Sequence, residues 1–167
     1  MKKRLIRRMI LPLLLIIAAF IGITSNDELN LLSVQSESYT VVRVVDGDTI
    51  IVDMNGTNQR IRLIGLDAPE SVHPDEERNV EYGEIAAAFT IEHLEGKIVT
   101  LEYDVEKRDQ YDRILAYVYL DGKMFNETLI EEGHAKVTTY PPNVRYTDSF
   151  VALQKQAQKD GKGIWAE

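Results

Sequence analysis

Residues 44–71 read VVDGDTIIVDMNGTNQRIRLIGLDAPES. Asp46-Gly47-Asp48-Thr49 supplies turn chemistry between two β-branched runs: aspartate bonds neighbouring backbone, and glycine adopts conformations closed to other residues. Asn55-Gly56 is a short-hairpin signal, since both tolerate the positive φ of a two-residue turn. The stretch therefore predicts the centre of a three-stranded meander, with strands over 39–45, 49–54 and 59–66. Two acidic clusters, 46–48 and 67–70, stand at strand ends, and Arg62 lies between them. Strands joined by a hairpin bring such ends together, so Asp48 and Asp67 are expected to lie close in space.

Working outward, a polar loop is expected from 67 to about 82. A helix follows over 83–96, with Ile85, Ala88 and Phe89 at core spacing and Gly96 as its stop. Residues 97–104 and 113–120 read as strands four and five. Asp121-Gly122 is a turn, and 126–133 is a short helix with Asn126 as its cap. Residues 135–138 are briefly extended. Pro141-Pro142 excludes helix and central strand from the next loop. The last helix runs over 147–163, and Ile164-Trp165 is expected to dock on the core. The order β-β-β-α-β-β-α-α predicts an α+β domain on a small barrel.

With 167 residues, 44% of them hydrophobic, the chain suits one domain with a sizeable core. It has no cysteine, which excludes disulfides, zinc–thiolate sites and thiol catalysis. Residues 1–8, MKKRLIRR, are basic, and 9–24 are uncharged and mostly apolar. That pattern predicts a secretory signal or an uncleaved membrane anchor over 1–25, with 9–24 as the possible tether to the membrane. Residues 26–38 read as a polar tether, and 39–167 as the globular domain. The expectation is an exported protein, secreted or anchored, and a monomer. Without 1–25 the lysines and arginines fall from 19 to 14 against 27 acids, a formal −13. Such a surface is wrong for a general nucleic-acid coat, though a local basic cleft remains possible.

The acids and arginines suggest chemistry. Asp48 and Asp67 offer hard oxygens suited to a cation such as Ca²⁺. Arg62, among aliphatics near a strand end, is otherwise a rim salt bridge. Pro69 fixes the step from Asp67 to Glu70, so one acid can hold an ion while the other handles a water proton. Arg113, beside Tyr111 at a loop–strand junction, suits a phosphate-binding, base-stacking site. Its plainer role is a loop salt bridge to Asp109 or Asp112.

Together the blocks VVDGDTI (44–50), RIRLIGLDAPES (60–71), YGEIAAAFT (82–90), DQYDRILAYVYLDGKMFNETLIEEGHAKV (109–137) and AQKDGKGIW (157–165) resemble the staphylococcal-nuclease-like family. The resemblance covers about 39–165. It implies a five-stranded OB-fold barrel with three helices and a Ca²⁺-dependent phosphodiesterase acting on DNA and RNA, leaving 3′-phosphate ends. It implies Asp48, Asp67 and the main-chain carbonyl of Ala68 as calcium ligands, with Arg62, Glu70 and Arg113 as catalytic residues. Tyr111 and Tyr140 would contact substrate. Ala68 stands where the family often has threonine, which a carbonyl ligand survives. Gln110 replaces a common lysine, and the loop at Tyr140 is one residue shorter. The alternative is a catalytically idle OB-type binding module.

Overall fold

The computed structural model describes residues 37–69 and 77–166, with backbone only for 77–80. The expected signal or anchor over 1–25, the apolar run 9–24, most of the tether and Glu70 lie outside the described residues. Among the described residues no helix is long and apolar enough to cross a membrane.

The elements are β1 (Ser38–Asp46), β2 (Thr49–Met54), β3 (Thr57–Leu63), β4 (Leu66–Asp67), α1 (Glu77–Leu94), β5 (Ile98–Glu102), β6 (Ile114–Leu120), β7 (Lys123–Met124), α2 (Phe125–Glu131), β8 (Lys136–Val137) and α3 (Thr147–Lys159), followed by a 3₁₀ turn at Gly163–Trp165. The five long strands are those expected. β3, β2, β1, β5 and β6 pair in that order, and β3 also pairs in parallel with β6, at Ile61↔Ile114 through Leu63↔Ala116. This last ladder closes the sheet into a five-stranded OB-like barrel. Alternation then decides what faces inward: Val41, Ile50, Val52, Ile61, Val99, Ala116 and Val118 fill the interior and are fully buried or nearly so.

Three local expectations change. First, α1 begins at Glu77, not near Gly83. Its opening turn is charged and polar, so it carries none of the apolar spacing that marks a helix. Second, α1 packs on the barrel through Gly83, Ala86, Thr90 and Leu94, while Ile85 and Ala88 are exposed and Phe89 is half-buried. Small residues on that face let the helix approach closely, and the Thr90 hydroxyl donates to the Gly47 carbonyl at 2.9 Å. Third, Asn126 is not a helix cap. It is fully buried, accepts from the Val118 amide at 2.9 Å and donates to the Ile64 carbonyl at 2.9 Å.

Asn126 thereby fastens the turn after β3 to the middle of β6. Gly65 completes that turn. Its φ is +84°, and a Cβ there would fall 2.7 Å from the Phe150 ring. The turn hands the chain to β4, whose Asp67 pairs with Lys136 of β8. Asn126→Ala leaves two buried backbone groups unsatisfied, and each such group costs about 1–3 kcal/mol. We expect at least about 2 kcal/mol of lost stability, read as a lower urea midpoint at an unchanged slope.

Candidate active site

Arg62 sits near the end of β3, between the inward-facing Ile61 and Leu63, so its side chain leaves the barrel on the outer face. There it meets both acidic clusters. Nη1 lies 2.9 Å from Asp48 Oδ2, and Nη2 lies 2.8 Å from Asp67 Oδ1. Nη1 also donates to the carbonyls of Leu63 and Leu66, each at 3.1 Å. Arg62 is 13% exposed and Asp48 8%, so this is no rim salt bridge.

Asp48 is held from several sides. Its Oδ2 accepts from the Ala68 amide at 2.9 Å, and its Oδ1 from the Thr49 hydroxyl at 3.1 Å. Its own amide donates to Asp46 Oδ1 at 3.1 Å. Burial pushes the Asp48 carboxyl up to about 7, and nearby Asp46 adds to the rise. The Arg62 guanidinium and the Ala68 N–H oppose that rise by favouring the ionised form. Gly47 lets the three segments meet, because a Cβ there would lie 2.7 Å from Ala68 Cβ and 2.9 Å from Ala86 Cβ.

The opposite wall comes from the loop before β6. Asp109 Oδ2 accepts from Arg113 Nε at 2.6 Å, while its Oδ1 accepts from the amides of Tyr111 (2.9 Å) and Arg113 (3.0 Å). Although burial alone would raise it, these bonds hold the Asp109 carboxyl below its usual range. The Arg113 guanidinium stands 5.4 Å from the Tyr111 ring centroid. The plain salt bridge to Asp109 is therefore present. It engages Nε, so it is compatible with a second partner on the terminal nitrogens.

A third wall follows the two prolines. Asn143 is 5% exposed and forms a peptide-like pair with Glu106, accepting from its amide and donating to its carbonyl, both at 2.8 Å. Further along, Glu102 accepts from Tyr119 (2.5 Å), Tyr146 (3.0 Å) and Arg145. These bonds keep it below the usual carboxylate range against the upward push of burial. They tie the end of the 140s loop to the barrel. The result is an open cleft of about 600 Å³ lined by Arg62, Asp67, Tyr111, Arg113, Tyr140 and Asn143, among others.

A sequence model described as "Staphylococcal nuclease homologue" matches residues 60–167. The chain belongs to the staphylococcal nuclease family. It is 49% identical to the thermonuclease of Staphylococcus intermedius over 132 residues, 79% of this chain and 78% of that protein. It is 48% identical to the thermonuclease of Staphylococcus hyicus over 130 residues, 78% of this chain and 76% of that protein. With endonuclease YncB of Bacillus subtilis it shares 40% identity over 130 residues, 77% of this chain and 61% of that protein.

In this staphylococcal nuclease homologue the structure brings together Asp48, Arg62, Asp67 and Ala68 on one side. It sets Tyr111, Arg113 and Tyr140 on the walls of the same cleft. Tyr111 and Tyr140 are 72% and 70% exposed, so both rings are open to a ligand. Glu70 lies outside the described residues. Asn143 was not singled out from sequence. Its only local mark is a polar residue after two prolines, which reads as ordinary loop.

Proposed function

We propose that this cleft hydrolyses the phosphodiester bonds of DNA and RNA with the help of Ca²⁺, releasing 3′-phosphate ends with little sequence preference. The observation that carries this is the approach of two arginines, Arg62 and Arg113, to one open cleft from different elements, each braced by a carboxylate. Braced guanidiniums are preorganised, and preorganised donors stabilise the charge that in-line attack adds to the phosphoryl oxygens.

The donor set fits a hard cation. Asp48 and Asp67 reach the same guanidinium from two segments, so their oxygens already converge, and neither brings a soft ligand. Among the described residues no three His, Cys, Asp or Glu side chains form a metal group. Asp48, Asp67 and the Ala68 carbonyl would hold the ion, with water completing its shell. The ion, when bound, supplies Lewis-acid stabilisation of the phosphate.

The chain's own groups do the rest. Arg62 and Arg113 bind the phosphoryl oxygens. Tyr111 and Tyr140 offer faces for sugar and base. Glu70 takes the proton of the attacking water as the new P–O bond forms. The P–O5′ bond breaks, and the 5′ oxygen leaves with a proton from solvent. The test is incubation of the protein with denatured DNA and with RNA in Ca²⁺, followed by end analysis of the products. Absence of hydrolysis, or 5′-phosphate products, would refute this reading.

The basic and apolar N-terminus supports a companion reading, that the domain works outside the cytoplasm. Five positive charges before an apolar run keep that end inside and send the rest across. Cell fractionation should find the nuclease in the membrane or the medium; a soluble cytoplasmic pool alone would refute export.

A further inference from the structure

Four of the arginines with described side chains, Arg62, Arg108, Arg113 and Arg145, are ion-paired. Arg43 and Arg60 are not. Both are exposed, and neither guanidinium has a partner among the described residues.

The sheet places these two in one row. Ile51 of β2 stands opposite Arg43 of β1 on one side and Arg60 of β3 on the other. Ile50 and Val52 point into the core, so Ile51 and the two arginines lie on the barrel's outer face. With strands about 4.8 Å apart, the two arginine backbones are about 10 Å from each other.

The next row of the same face is Asp46, Thr49 and Arg62. Arg60 and Arg62 are two residues apart on one strand, about 7 Å, and share a face because Ile61 between them is buried. Arg62, Arg60 and Arg43 thus form a stepped line that starts in the cleft and crosses the outer sheet. The acids flanking the row are turned to backbone amides. Asp53 Oδ1 accepts from Gly56 N at 2.7 Å, and Asp46 Oδ1 accepts from Asp48 N.

On a chain of formal net charge −8, two unpaired guanidiniums continuing from a phosphate-binding cleft are a local inversion of the field. We propose that the outer face of β1–β3 is a track for a single-stranded nucleic acid. Arg60 and then Arg43 contact the phosphates of the strand whose scissile bond lies at Arg62. These contacts hold the strand without reading its bases, since phosphate contacts position rather than specify. The inference rests on the nuclease reading and extends it to where a long substrate goes.

The test compares wild type with Arg43→Gln, Arg60→Gln and the double variant. Hydrolysis in Ca²⁺ is followed on a ~30-nucleotide oligothymidine and on a thymidine dinucleotide, which is confined to the cleft. Binding of the labelled oligothymidine is followed by anisotropy in chelator across a salt series, where each lost single-strand phosphate contact flattens the log–log salt slope by about 0.7. The expected result is a KM for the long strand raised about threefold or more by each change, with kcat intact and dinucleotide hydrolysis unaltered. The salt slope should flatten by about 0.7 per arginine. An unchanged slope, or an equal rise in KM on both substrates, would overturn the track. Wild type that binds with an arginine-dependent slope yet hydrolyses neither substrate would refute the nuclease reading and leave the track standing.

Discussion

Replacing Arg62 with lysine is expected to lower kcat at least a hundredfold. The arginine uses its two terminal nitrogens separately, Nη1 toward Asp48 and two carbonyls, Nη2 toward Asp67. Lysine keeps the charge but has a single nitrogen on a flexible stem, and it cannot both hold these braces and direct a fixed donor at a phosphate. Loss of one preorganised donor set of this kind typically costs about 10²–10³ in kcat. Stability should fall as well. An exposed pair contributes roughly 0–1 kcal/mol, but Asp48 is buried and leans on this guanidinium. A drop in Tm of a few degrees, on the order of 1–2 kcal/mol, is expected. Turnover is therefore measured well below the new midpoint. A folded variant with normal turnover would remove Arg62 from the mechanism.

Chelation is expected to abolish hydrolysis, and Mg²⁺ to restore little of it. The two carboxylates and the carbonyl proposed as ligands would make a loosely shaped oxygen set. Ca²⁺ accepts irregular coordination by six to eight oxygens, whereas Mg²⁺ demands a tight octahedron and gives up water reluctantly. The chelated protein should remain folded, because an apolar interior and a closed ladder of strands hold the barrel together. Adding Ca²⁺ should raise Tm in step with its concentration, as for any ligand that binds only the native state. Asp48→Asn should remove most of that rise. Full activity in chelator would dismiss the ion altogether.

The meander was legible because its information is local. Asp46-Gly47-Asp48 and Asn55-Gly56 are turn chemistry, and the β-branched runs between them alternate. The β3–β6 closure was not readable from alternation. A parallel pair between strands about fifty residues apart leaves no mark near either one. The start of α1 was missed because a charged first turn looks like loop, and Asn126 was misplaced because cap and buried crosslink need the same side chain. At the site, the closeness of Asp48 and Asp67 could be read, since one hairpin joins their strands, whereas the seating of Arg62 between them came only with the side-chain geometry. The bracing by Asn143 depends on two distant loops touching, and a single sequence does not record that contact. Arg43 and Arg60 were visible as residues, but only the strand register aligned them.

The walls of the cleft come from widely separated parts of the chain: Arg62 from the third strand, Arg113 from the loop before the sixth, and Asn143 from the loop before the last helix. The Val137 amide, in the strand that flanks Asp67, bonds to Gln154 of the last helix at 2.7 Å. A polypeptide is made from its N-terminus, so these parts cannot meet until the chain has been made at least through Gln154. The half-made chain has its acids and its first arginine but no opposing wall. A chain that stops short of the loop before the sixth strand therefore holds one guanidinium of the cleft and not the other, and the cleft gains its second only when that loop has been made.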